Sequence, residues 1–244
     1  MFARRIKSLA HDANGRQIRI LEAGCGVGQV PNLDDVDSHI TGIDYDHPVL
    51  RARTEERSDL DLWMLGDLRT LPLPQRSFDV VHSSWLLQRA GNVELVLDRI
   101  LAALQPGGLF LLKIPDRESA YGFCVRILPM WVRTLYWRWL GPAGSENEPL
   151  PVVYELVVSH AGIQRYCLMR GLVVMEEYAS APSLKRFGRL ARPMRWVLRA
   201  VEALSGGRLS ADRSDLVFVI RKPENRFARL VPGPFDAGSY RHPA

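Results

Sequence analysis

Leu21-Glu22-Ala23-Gly24-Cys25-Gly26-Val27-Gly28 decides the fold of this chain. Alternate glycines follow directly on the strand-like run Ile18-Arg19-Ile20-Leu21, so an extended segment ends in a turn where no Cβ separates backbone from ligand. Where such a turn opens a helix, the helix N-terminus adds free N–H donors for a nucleotide-like cofactor. The dinucleotide fingerprint needs another small residue at position 29, and Gln29 stands there. Such a turn could serve NAD or S-adenosylmethionine, and the NAD reading loses its third glycine.

Outward from the turn, the period of the apolar residues predicts strands near 18–22, 40–44, 62–66, 78–83 and 108–114, with helices between the later ones. The clearest helix runs from Asn92 to Leu104, where Val93, Val96, Leu97, Ile100, Leu101 and Leu104 share one face. Further on, a helix is expected from Leu156 to Met169, a strand from Gly171 to Glu177 and a last strand from Asp215 to Arg221. This is the βαβ rhythm of a parallel sheet.

Glu22-x-Gly24-x-Gly26-x-Gly28 resembles the first motif of the class I S-adenosylmethionine-dependent methyltransferases, and the resemblance continues in register. Ile40-Thr41-Gly42-Ile43-Asp44 looks like the family's second strand, and Leu65-Gly66-Asp67-Leu68 like its third strand end. Ser77-Phe78-Asp79-Val80-Val81-His82-Ser83-Ser84 resembles the fourth strand, and Leu104-Gln105-Pro106-Gly107-Gly108-Leu109-Phe110-Leu111-Leu112 the turn and fifth strand. Each motif alone has a plainer reading as a turn or a solvated strand end. Together they imply a Rossmann-like α/β fold: a seven-stranded sheet, mostly parallel with a C-terminal antiparallel hairpin, helices on both faces and two lid-like insertions. They also imply S-adenosylmethionine as cofactor, contacted by Glu22, Gly24, Cys25, Gly26, Gly28, Asp44, Tyr45, Gly66, Asp67, Leu68 and the backbone near Ser83. By the same resemblance Asp44 accepts both ribose hydroxyls, a bidentate bond that suits a carboxylate. Asp67 meets the adenine amino group, and the N–H of Leu68 meets the ring.

With 244 residues, 47% of them hydrophobic, the chain is long enough for one full-sized core, and one domain over 1–222 is expected, followed by a loosely ordered tail from 223 to 244. The tail carries Pro232, Gly233, Pro234, Gly238 and Pro243, a composition that buries little apolar surface. Cys25, Cys124 and Cys167 are widely spaced and odd in number, which fits neither a disulfide framework nor a zinc site; no metal is expected, and a reducing cytoplasm is. No signal sequence or long apolar run is read, so the protein is expected to be soluble or peripheral to a membrane.

The insertions, about 117–155 and 180–212, are where an acceptor would be chosen. The first holds Phe123, Trp131, Tyr136, Trp137 and Trp139, either an aromatic wall for a flat or greasy acceptor or a helix packed in its own domain. The second is the most amphipathic part of the chain. Phe187, Leu190, Met194, Val197, Leu198 and Val201 fall on one face, with Lys185, Arg189, Arg192, Arg195 and Arg199 opposite. Pro193 is expected to start its main helix and Gly206-Gly207 to end it. Residues 183–205 read either as a lid with a solvated basic face or as a helix lying on an anionic membrane.

His160, Tyr154 and Tyr121 are the candidates for a base that deprotonates an acceptor, and Trp85, Tyr121, Trp131 and Tyr154 the candidates for acceptor contact. His82 lies within a strand and reads as a core histidine. The His-rich stretch that many quinone and natural-product relatives carry after the fourth strand is replaced by Leu86-Leu87-Gln88-Arg89. The expected function is methyl transfer to a small or amphiphilic metabolite, at oxygen by preference, in bacterial secondary metabolism or lipid modification. Two rivals stand beside it: non-methylating chemistry on the same scaffold, and a non-enzymatic membrane-associated or regulatory module. A nucleic-acid acceptor is disfavoured despite a sequence pI of about 9.3, because no Asn-Pro-Pro-Tyr type motif follows the fourth strand. A homo-oligomer is left open.

Overall fold

Side chains alternate at period two along the strands, and this builds two cores on one sheet. Ile18 and Ile20 are buried on one face and Leu21 and Ala23 on the other. The computed structural model describes residues 2–13, 15–28, 30–33, 35–129, 152–180 and 191–224. Within them β1 (Ile18–Ala23), β2 (Ser38–Asp44), β3 (Leu62–Leu65), β4 (Phe78–Ser84), β5 (Leu104–Pro115), β6 (Val173–Ser180) and β7 (Asp215–Arg221) form a seven-stranded sheet in the order β3-β2-β1-β4-β5-β7-β6. The pairs among β1 to β5 are parallel, while β7 runs antiparallel to both β5 and β6. The chain leaves β1 toward β2 on one side and returns through β3 to β4 on the other, so the sheet has a switch point between β1 and β4. Open α/β sheets bind ligands at such a point, outside the carboxyl ends of the strands.

Helix α1 (Phe2–Asp12) buries Ile6 against Ile18, Ile20, Val80, Leu111 and Val219. The opposite face is covered by α3 (Val93–Ala103) and α5 (His160–Arg170), which pack on Leu21, Val81, Phe110, Leu112 and Phe218. Each fully buried aliphatic side chain contributes about 1.5–3 kcal/mol to the fold. The predicted apolar face of α3 is the buried one. Its N-cap, Asn92, is left-handed with φ 54° and offers no side-chain bond. Glu155 supplies the cap from a distance, accepting from the N–H groups of Asn92 at 2.6 Å and Val93 at 3.0 Å. Helix α5 begins four residues later than expected because Ser159 caps it, accepting from Gly162 N–H at 3.1 Å. The predicted strand Gly171 to Glu177 is displaced to Val173–Ser180, since left-handed Gly171, φ 67°, is the C-cap of α5.

The connection from β1 to β2 departs from the expectation of a helix opened by the glycine turn. Only α2 (Pro48–Glu55) and α3 lie between the first five strands, and the described residues between Gly28 and Ser38 are helix-free.

The two insertions meet. Helix α4 (Ala120–Ile127) packs on α6 (Ala191–Leu204) through Ala120, Tyr121, Cys124, Met194, Leu198 and Val201, and Ser119 bridges to Ser210. Helix α6 starts at Ala191 rather than Pro193, which the first turn tolerates, and left-handed Gly206 and Gly207 follow its end as predicted. Val197 does not share the packed face. It is 50% exposed, with Trp196 at 74% and Leu204 at 89%, because only the stripe 194, 198, 201 meets α4. Trp131, Tyr136, Trp137, Trp139, Phe187, Leu190 and the tail beyond 224 lie outside the described residues. Among those described, no helix is long and apolar enough to cross a membrane.

Candidate functional site

Gly24 adopts φ 99°, a left-handed backbone, and turns the chain sharply over the end of β1. Its N–H donates to Ile43 O of β2 at 2.7 Å, and the N–H of Gly28 donates back to Gly24 O, also at 2.7 Å. The missing Cβ atoms serve the protein's own packing first. A methyl on Gly26 would stand 3.0 Å from Leu50 of α2, and one on Gly24 would stand 3.0 Å from Ser84 O. On Gly28 it would meet Glu22 Oε1 at 3.1 Å. Cys25 within the turn is buried, its thiol 3.6 Å from Thr54 Oγ1, and burial pushes its pKa up to about 11.

Two buried carboxylates flank the turn. Asp44, at the end of β2, accepts from Gly26 N–H at 3.0 Å and from Tyr45 N–H at 2.8 Å, and Arg89 Nη2 lies 3.4 Å away. Burial raises the Asp44 pKa; Arg89 and the two N–H groups oppose that shift without cancelling it. Glu22, at the end of β1, pairs through Oε2 with Arg57 at 2.7 Å, and its Oε1 has no hydrogen-bond partner. His82 Nδ1 lies 3.8 Å from that free oxygen, and Phe2 closes over the His82 ring edge-on at 5.4 Å. Tyr45 OH, Ser83 Oγ, Gln88 Oε1 and Arg89 Nη1 are likewise buried without partners. These orphaned polar atoms gather where β1, β2 and β4 end.

The third strand end is different in character. Gly66 N–H donates to Asp44 O at 3.0 Å, and Leu68 is buried. Asp67 lies at the surface, tied to Arg69 Nη2 at 2.7 Å, and that partner lowers its pKa to about 2. Trp85, directly after β4, holds a left-handed φ of 61° with Lys113 Nζ over its ring at 5.2 Å. A non-glycine residue in that region stores strain, which recurs at ligand sites.

Residues 21–112 match a family model described as "Methyltransferase domain". The sheet order and that match give the chain a Rossmann-like methyltransferase fold. Over 110 residues it is 34% identical to a "Probable S-adenosylmethionine-dependent methyltransferase" of Mycolicibacterium smegmatis, covering 45% of this chain and 42% of that one. Over 101 residues it is 30% identical to a demethylmenaquinone methyltransferase of Symbiobacterium thermophilum, covering 38% and 40%. The chain thus spans about two-fifths of the length of these curated relatives. Among solved structures, the 4+2 cyclase SpnF shares the fold with a TM-score of 0.54 at 18% identity, over 91% of this chain and 81% of that one.

On this methyltransferase fold, Tyr154, Tyr121 and His160 belong to three different segments, and Trp131 lies outside the described residues. Tyr154 is buried, left-handed at φ 50°, and its segment returns to the end of β4, where Val153 N–H donates to Gln88 O at 2.8 Å. Tyr121 packs in the α4–α6 cluster. His160 starts α5, 3.2 Å from Glu177 and stacked on Phe218, in a cavity of about 300 Å³ that Tyr178, Arg208 and Arg213 also line. That cavity sits over β5, β7 and β6, at the same edge of the sheet as the glycine turn. Sequence reading passed over Arg57, Arg89 and Glu155. Nothing in the sequence pointed to Arg57 as a partner of the glycine turn.

Proposed function

We propose that the site at the ends of β1, β2 and β4 binds S-adenosylmethionine and that the chain transfers its methyl group to a small, amphiphilic acceptor, at oxygen. The carrying observation is the group of buried, unpartnered polar atoms there: Glu22 Oε1, Tyr45 OH, Ser83 Oγ and Arg89 Nη1. A cofactor that brings ribose hydroxyls, an ammonium and a carboxylate fits them, since buried polar groups without partners are costly. Asp44 would hold the ribose, exchanging its long contact to Arg89 while keeping the shorter bonds to Gly26 and Tyr45. Glu22 Oε1 would face the ammonium, and the Asp67–Leu68 corner the adenine. When bound, the cofactor supplies an electrophilic methyl on a sulfonium sulfur. Acceleration by holding acceptor and methyl in line needs no strong base. The small acceptor is supported by the name of the demethylmenaquinone relative.

Calorimetric titration with S-adenosylmethionine, its demethylated product and NAD tests this reading. Binding of the first two without NAD supports it; binding of none overturns it. A second reading, other chemistry on the same scaffold, is favoured by the fold shared with a cyclase, and an assay for the methylated product separates the two. For partners we propose an anionic membrane surface, met by Arg192, Arg195 and Arg199 with exposed Trp196 and Leu204 on α6.

A further inference from the structure

The carbonyls of Cys25 and Gly28, at the two ends of the glycine turn, are both met by one side chain. Arg57, two positions beyond the end of α2, supplies the donors. Its Nη1 donates to Cys25 O at 2.9 Å and to Gly28 O at 3.0 Å, spanning the turn. Its Nη2 donates to Glu22 Oε2 at 2.7 Å and to Asp59 Oδ2 at 2.5 Å, and its Nε to Asp59 Oδ1 at 2.8 Å. Every N–H of the guanidinium is used, in the planar fork that only arginine provides. The side chain is 13% exposed and Glu22 not at all, so the bonds are largely shielded from water.

We propose that Arg57 is the positioning residue of the cofactor turn, fixing Cys25, Gly28 and Glu22 in one arrangement. The consequence for affinity rests on the cofactor reading above; the consequence for turn rigidity does not. Asp59 braces the far side of the guanidinium without touching the turn, so it is the matched control.

The test uses the full chain and reads both quantities on Arg57→Lys, Asp59→Asn and the double variant Arg57→Gln/Glu22→Gln, because removing Arg57 alone strands Glu22 as a buried charge. Amide hydrogen exchange is followed at Val27 and Gly28, whose N–H groups bond to Gly24 O, with Leu21 and Val81 as references in β1 and β4. Arg57→Lys and the double variant should speed exchange at Val27 and Gly28 while Leu21 and Val81 keep their rates, and Asp59→Asn should leave the turn protected. Binding of S-adenosylhomocysteine, read by calorimetry, should weaken on the order of 100-fold in Arg57→Lys, the scale of a misplaced site, and less than roughly threefold in Asp59→Asn. Unchanged exchange at the turn, or uniform acceleration that includes Leu21 and Val81, overturns the proposal. If the parent protein binds no S-adenosylhomocysteine, the cofactor reading fails and the exchange pattern alone decides the role of Arg57.

Discussion

Asp44 is occupied before any ligand arrives, holding two backbone N–H groups and facing Arg89, and this shapes what its loss would do. Asp44→Ala removes the proposed ribose acceptor and frees Gly26 N–H; S-adenosylmethionine binding should weaken by about 2 kcal/mol or more, the scale of a charge-assisted hydrogen bond. Unchanged affinity by calorimetry in a folded variant takes Asp44 out of the site. Cys25 sits beside it as an inert thiol. With burial raising Cys25 to about 11 and Cys167 to about 12, both stay protonated at pH 8 and should resist a thiol reagent, whereas half-buried Cys124 reacts first. Mass mapping after brief labelling shows the order, and early modification of Cys25 contradicts the packing described. The identity of these turn residues was legible in the sequence because glycines at alternate positions and strand-end carboxylates are local features. Arg57 was not, since a single arginine 29 residues past Gly28 carries no local mark of the carbonyls it reaches.

Elements obey the same division. The face of α3 was readable from its period, but its N-cap was not, because the capping carboxylate of Glu155 comes from a segment 63 positions away. Glu155→Ala should destabilise the protein by about 1 kcal/mol, the usual scale for a lost cap, with urea unfolding as the measure; no change removes Glu155 as the cap. Asp79 ties β4 to its neighbours: Arg16 Nη1 and Nη2 donate to its carboxylate at 3.1 and 2.5 Å, Arg19 N–H at 2.9 Å, and Gln105 Nε2 also donates. Burial pushes its pKa up, yet Arg16, the Arg19 N–H and Gln105 together bring it below the ordinary value. A depressed carboxylate contributes stability that is present above its unfolded pKa of about 3.9 and is lost as the pH falls through the lower folded value. Asp79→Asn should therefore cost about 2 kcal/mol at neutral pH and flatten the loss of stability below about pH 4. Equal acid sensitivity in parent and variant rules that contribution out.

At the scale of the whole molecule, the insertions differ most from their sequence reading. Their sequence reading is of two separate lid-like insertions, whereas α4 and α6 pack together around a small core of Ala120, Leu198 and Ala211. Helical period alone put Val197 on the packed face; contact with a single narrow partner leaves it exposed with Trp196 and Leu204. That exposed apolar stripe beside arginines suits a membrane surface. The parent protein should sediment with vesicles containing anionic phospholipid at low salt, and Arg192→Ser/Arg195→Ser/Arg199→Ser should abolish it. A parent that stays in the supernatant ends the membrane reading.

The sequence by itself determined the sheet, the order of its strands' motifs and the place of the candidate site. Those depend on short-range patterns: period-two burial, glycines after a strand, acids at strand ends. Tertiary structure decided how that site is held together and what lies beside it. Arg57 meets Cys25, Gly28 and Glu22, Glu155 meets α3, and α4 meets α6, each across tens of residues or more, where side-chain reach and packing rather than local preference select the partner.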